Sequence, residues 1–187
     1  MLALVQVLKE SLLPVVTAPA GWNLIAEHSI FEAGWGTWYQ VLYYRVATAP
    51  EPASYTWTYN TVAGSGIAIA TYRDGFDLAS PIDVSSSLEY ITSDTILKAG
   101  SVTTTHSEEY LIFAGGMLLS SASTPEPMAP PAGFTENVDT GQQAYQKSFA
   151  ISTTPQASAG ASGNMDATLQ SAIGKSKHAF LVALKKP

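Results

Sequence analysis

The 187-residue sequence contains no cysteine. That excludes disulfides, thiolate zinc sites and cysteine nucleophiles. Charge is also scarce: Asp, Glu, Lys and Arg make up 13% of the chain, against roughly 25% in an average soluble domain. Nine cations stand against fifteen acids, giving a net charge of −6 and a pI near 4.9. A nucleic-acid backbone needs a basic stripe to displace its counterions, so no nucleic-acid partner is expected. No apolar run reaches the roughly 18 residues of a membrane span, so no membrane partner is expected. Residues 1–13 (MLALVQVLKESLL) are the sole candidate for a targeting segment. A secretory signal carries its positive charge ahead of the apolar stretch; here Lys9 and Glu10 follow it. Residues 1–8 therefore read as a buried strand.

Helix signals are poor. No stretch of about 12 residues shows an apolar stripe at helical spacing with caps, and 11 prolines and 14 glycines interrupt the chain throughout. Residues 164–173 suit a short helix or a strand equally. The motifs of chemistry are missing too. His28, His106 and His178 are scattered, with no H-E-x-x-H. There is no G-x-S-x-G nucleophile elbow. Gly64-Ser65-Gly66 is too short for a phosphate loop, and Gly174-Lys175-Ser176 matches only the end of one. The expectation is a non-enzymatic chain without a cofactor.

What is present points to β structure. Hydrophobic residues make up 46% of the chain, enough for a sizeable core, and Ser plus Thr total 38. Tyr55, Trp57 and Tyr59 alternate with Ser54, Thr56 and Thr58, the period of a half-buried strand. Residues 38–46 read as a strand apolar on both faces. Further apolar runs cover 22–31, 67–73, 110–119, 145–152 and 179–184, each bounded by turn formers. Many short strands predict an all-β fold: an antiparallel two-sheet sandwich, jelly-roll-like, forming one domain over 1–187. Residues 121–133 carry Pro125, Pro127, Pro130 and Pro131 and read as a stiff surface loop.

The chain echoes itself. Ala18-Pro19-Ala20-Gly21-Trp22 returns as Pro130-Pro131-Ala132-Gly133-Phe134, and Thr48-Ala49-Pro50 as Thr153-Thr154-Pro155. Proline fixes φ, glycine permits positive φ, and the aromatic then enters the core. The echo predicts a weak duplication over about 1–75 and 107–187. The second copy is preceded by an expected strand at 101–105, which the first lacks. Either the first sheet is one strand short or a neighbouring chain supplies a strand at an open edge.

Two groups of side chains are candidates for a site. Asp74, Asp77 and Asp83 form the one acidic cluster worth weighing. Such carboxylates could hold Ca²⁺ or act as a glycosidase pair, but Asp and Gly also make turns, the simpler account. All four tryptophans lie between residues 22 and 57. Trp22 and Trp57 sit in core-like patterns. Trp35 and Trp38, at a hairpin tip, are candidates for contact with a protein partner or a glycan, or for closing an open end of the sandwich.

The motifs Pro19 to Trp22, Tyr43 to Ala47, Tyr55 to Thr58, Ile67 to Asp77, Pro81 to Asp83, Ser101 to Thr105 and Pro130 to Glu136, spread over nearly the whole chain, resemble a family of β-sandwich domains found in tailed-phage virion proteins, prophage regions and bacterial surface proteins. Members usually carry a further strand region before the first apolar strand, from which this chain departs. The resemblance implies a structural or attachment module located in the virion, in the head, tail or fibre. It would act by packing against other virion proteins and copies of itself, and it brings no catalytic residues. A carbohydrate- or receptor-binding adhesion module, meeting a host surface glycan, is the alternative.

Overall fold

The computed structural model describes residues 1–9, 13–60, 64–73, 75–90, 95–119, 127–142, 147–170 and 174–187. Every regular element among them is a β-strand, and every ladder is antiparallel. The chain divides into two compact units, Met1–Tyr72 and Arg73–Pro187. The division falls close to the end expected for the first pseudo-repeat.

The first unit contains β1 (Leu2–Lys9), β2 (Val16–Thr17), β3 (Asn23–Glu32), β4 (Gly36–Tyr44), β5 (Thr58–Tyr59) and β6 (Gly64–Ala70). Its main sheet runs β3-β4-β1-β6, and β2 pairs with β5 in a small ribbon. Strand β1 is central, with Leu2 opposite Tyr44 on one side and Ala70 on the other. One face of the sheet presents Ala3, Val5, Val7, Tyr39, Val41 and Tyr43 to Trp22 and Trp57, with Tyr55, Tyr59 and Val16 packed alongside. The opposite face is buried as well, at Leu2, Leu4, Gln6, Trp38, Gln40 and Leu42. Burial on both faces explains why β1 reads as a continuous apolar run rather than an alternation.

The second unit contains β7 (Ile82–Tyr90), β8 (Ile96–Ala99), β9 (Thr103–Thr104), β10 (Glu109–Leu119), β11 (Met128–Ala129), β12 (Thr135–Gln142), β13 (Lys147–Gln156), β14 (Gly160–Ala161), β15 (Met165–Leu169) and β16 (Gly174–Leu184). The main sheet runs β12-β13-β10-β16-β7, and the smaller sheet β11-β15-β8. Phe113, Met117, Ala150 and Leu181 of the first meet Leu97, Met128, Ala167 and Leu169 of the second in one core. Each unit is thus a sandwich in its own right: a large sheet with one face closed by a smaller layer. The strand orders do not by themselves trace a jelly roll.

The duplication is visible in the topology. The order β3-β4-β1-β6 recurs as β12-β13-β10-β16, and the β2–β5 ribbon recurs as β11–β15. The Trp22 amide donates to the Pro19 carbonyl at 3.2 Å, as Phe134 does to Pro131 at 3.0 Å. Gly21 and Gly133 share φ near +82°. Three residues after each glycine the ladder slips by a bulge, between Leu24 and Ala26 and between Glu136 and Val138. Turn, bulge and strand order repeat together, so one backbone plan serves two largely different side-chain sets.

The two turns differ in what surrounds them. A Cβ at Gly133 would meet nothing within 4 Å, whereas one at Gly21 would run into the Arg45 guanidinium. Arg45 donates to the Ala20 carbonyl at 3.0 Å and pairs with Glu51 at 3.2 Å, so it is not free to leave. A left-handed φ costs an L residue about 1–2 kcal/mol. Gly133→Ala should lose about that much in urea unfolding. Gly21→Ala should lose clearly more, because it also displaces Arg45. Equal losses would show that Arg45 does not hold the turn.

Three expectations resolve here. Residues 164–173 hold a strand, β15, rather than a helix. The strand expected at 101–105 shrinks to β9, which pairs with β14 outside the main sheet. The additional main-sheet strand of the second unit is instead β7, paired along the far side of β16. Of the loop expected at 121–133, residues 121–126 lie outside the described residues, and Met128–Ala129 forms β11.

Candidate assembly edge

Strand β16 is flanked on both sides, by β10 and β7. Its counterpart β6 pairs with β1, and among the described residues no strand pairs with its far side. Among the described residues the first sheet therefore has one strand fewer than the second. The strand that makes the difference is β7 rather than the expected 101–105.

The composition of β6 sharpens this. Its sequence is GSGIAIA, with no charge and no proline. Ile69 lies on it with 39% of its surface exposed. Open edges are ordinarily blunted by charge, proline or a bulge. The opposite edges follow that rule: β3 carries Glu27, Glu32 and a bulge, and β12 carries Glu136, Asp139 and a bulge. Strand β6 carries none of the three.

The hairpin tip between β3 and β4 separates the two tryptophans singled out in the sequence. The Trp35 amide donates to the Glu32 carbonyl at 2.9 Å, closing the turn, and its ring is half-buried. Trp38 is 1% exposed in the middle of the buried face of β4, so it presents no surface to a ligand. Phe31, beside the tip on β3, is 68% exposed.

Asp77 and Asp83 face different partners. Asp74 lies outside the described residues. Asp77 shapes a turn: its Oδ1 accepts from the Ala79 and Ser80 amides at 2.9 and 3.2 Å, and Lys185 Nζ lies 3.8 Å from Oδ2. Asp83, on β7, faces Thr105, His106 and Glu109 instead. The Thr105 amide and hydroxyl donate to its two oxygens at 2.7 and 2.6 Å. His106 Nδ1 stands 3.5 Å from Asp83 Oδ1 and 3.3 Å from Glu109 Oε1. Burial first, then the neighbouring Asp83 carboxylate, raises the Glu109 pKa; the His106 amide and imidazole pull the other way. Burial also opposes ionisation of Asp83, but the Thr105 hydrogen bonds outweigh it and hold its pKa down.

His106 and Glu109 escape a reading by motif. They stand three apart in a polar turn, and their partner Asp83 lies on another strand. The spacing alone carried a signal, but it needed the fold to bring Asp83 alongside. The other histidines remain apart from this group: the His178 ring packs edge-on against Phe180 with centroids 4.4 Å apart.

Comparison with protein-family models, with curated proteins and with solved structures returns no match.

Proposed function

We propose that this chain is a non-enzymatic structural module that works by packing and strand pairing in a symmetric assembly, with β6 as its joining edge. The uncharged, unblunted far side of β6 carries this reading. The second unit supports it by analogy, since the equivalent strand there accepts β7. Main-chain hydrogen bonds supply affinity in such additions, and side-chain pockets supply register. The low charge of the chain suits surfaces that meet neighbours. The resemblance in turn and packing motifs favours a phage virion as the setting, with copies of this chain or other virion proteins as partners.

The test is the mass in solution by light scattering, together with hydrogen exchange over residues 64–70. The expected result is an oligomer in which the β6 amides that do not pair with β1 are protected as well. Ile69→Lys places a charge on the edge at a partly exposed position, so it should cost little stability yet shift the mass towards monomer. A monomeric wild type in which those outward-facing amides exchange freely would sink the proposal.

A second reading rests on the half-buried Trp35 beside the exposed Phe31. Aromatics so placed can stack on a sugar ring or anchor a receptor, giving an adhesion module for a host surface glycan. Glycan binding by a monomeric chain would favour it over assembly.

A further inference from the structure

Glu109 opens β10 with none of its surface exposed, and no hydrogen bond of good geometry reaches either carboxylate oxygen, whose close neighbours are Asp83 and His106. A buried carboxylate left so is expensive unless it loses its charge or meets a cation. Asp83, with its side chain 8% exposed, brings a second carboxylate. Two carboxylates carry up to two negative charges, and the His106 imidazole can offset one at most. A divalent cation would offset both.

The spacing around His106 suits a coordination shell. One ligand atom from each of Asp83, His106 and Glu109 lies within 4.8 Å of the other two. Zinc holds nitrogen and oxygen ligands at about 2.0–2.2 Å in a tetrahedron, so its ligand atoms stand about 3.3–3.6 Å apart. His106 Nδ1 is 3.3 Å from Glu109 Oε1 and 3.5 Å from Asp83 Oδ1. We propose that Asp83, His106 and Glu109 form a binding site for a divalent transition metal of the zinc class.

The donor set selects the metal. Calcium and magnesium take oxygen ligands, whereas an imidazole with two carboxylates suits zinc and its neighbours. Thr105 supplies the outer support that such sites need: its amide and hydroxyl donate to both oxygens of Asp83, and its hydroxyl oxygen lies 2.8 Å from His106 Nδ1, a contact that a bound metal would replace. The imidazole is 51% exposed, which leaves an entry path and room for water at the fourth position. The metal would tie β7 to the turn after β9 and to the first residue of β10. The site is therefore a clamp on the strand that completes the second sheet, and it is independent of the β6 edge.

The test uses the full chain stripped with a chelator and titrated with Zn²⁺ by calorimetry. Saturable binding at one ion per chain is expected, together with a rise in Tm on addition of the ion. Loss of outer-shell partners alone weakens metal sites by about 10–100-fold. Thr105→Val should fall in that range, and His106→Ala and Glu109→Gln should each exceed it. Glu109→Gln removes a buried charge, so it should fold without metal at least as well as the wild type. Co²⁺ in place of Zn²⁺ should give the visible absorption of a four-coordinate site, absent in His106→Ala. No saturable binding, binding that survives both His106→Ala and Glu109→Gln, or preference for Ca²⁺ over Zn²⁺ would each overturn the assignment.

Discussion

Trp22→Ala is expected to destabilise the first unit by about 3–5 kcal/mol, the range for removing a buried tryptophan or phenylalanine. Trp22 is 7% exposed, and its ring centroid lies 5.1 Å from that of Trp57 and 5.2 Å from that of Tyr55, the latter edge-on. These three rings cover the Val5 and Val41 face of the main sheet. The β2–β5 ribbon has only two residues in each strand, too few to hold a layer by hydrogen bonding. The rings therefore carry the layer. Trp57→Ala should cost a similar amount, and the double variant less than the two together, because each ring packs on the other. Urea unfolding followed by tryptophan fluorescence isolates the effect, since all four tryptophans lie in the first unit. The fluorescence midpoint should fall well below that of the wild type in either single variant. A loss under about 1 kcal/mol would mean that another set of contacts holds the layer.

The sequence showed this cluster because its signal is local. Alternation at 54–59 placed Tyr55, Trp57 and Tyr59 on one side, and they share one core, although the ladder itself covers only Thr58–Tyr59. The duplication was legible for a related reason. A turn that needs positive φ must spend a glycine at a fixed place, so Gly21 and Gly133 survive while the strands around them diverge. Strand β7 was not legible. Its sequence IDVSSSLEY spreads a few apolar residues among serines, and pairing with β16 stabilises it more than its own periodicity advertises. The cluster of Asp83, His106 and Glu109 was hidden for a topological reason. Asp83 reaches the other two only because β7 runs past the turn that precedes β10. Glu108 in that turn takes φ of +56°, a strained conformation for a non-glycine residue, and no local pattern announces it. Trp38 was half legible: the run from 38 to 46 reads as apolar on both faces, which is where the fold buries it.

Lys147→Met is expected to stabilise the chain at neutral pH, and the gain should disappear in alkali. Lys147 is the first residue of β13 and is fully buried. Burial disfavours the ammonium form and pushes its pKa down to about 8, whereas an unfolded chain restores the ordinary value of about 10.4. The sign follows from proton counting. Above the unfolded value both states are neutral, and burial of the ammonium costs nothing. Between that value and about 8 the unfolded state holds a proton that the folded state lacks, so stability falls as the pH falls. Below about 8 both states are protonated and the full penalty remains, about 3 kcal/mol at 1.36 kcal/mol per unit. Methionine keeps an unbranched stem of similar length without the charge, so it should escape the penalty. Several tyrosines also titrate in alkali. Burial and nearby acids raise Tyr39 and Tyr43, so their contribution to stability falls as the pH rises above about 10, opposite in sign to that of Lys147. The absolute profile therefore mixes the two. The difference between wild type and Lys147→Met does not, because the tyrosines are common to both. That difference should be largest at pH 7, shrink between pH 8 and about 10.4, and vanish beyond. A difference that stays flat with pH, or a variant less stable than wild type at pH 7, would show that the folded state holds the ammonium in a favourable polar setting.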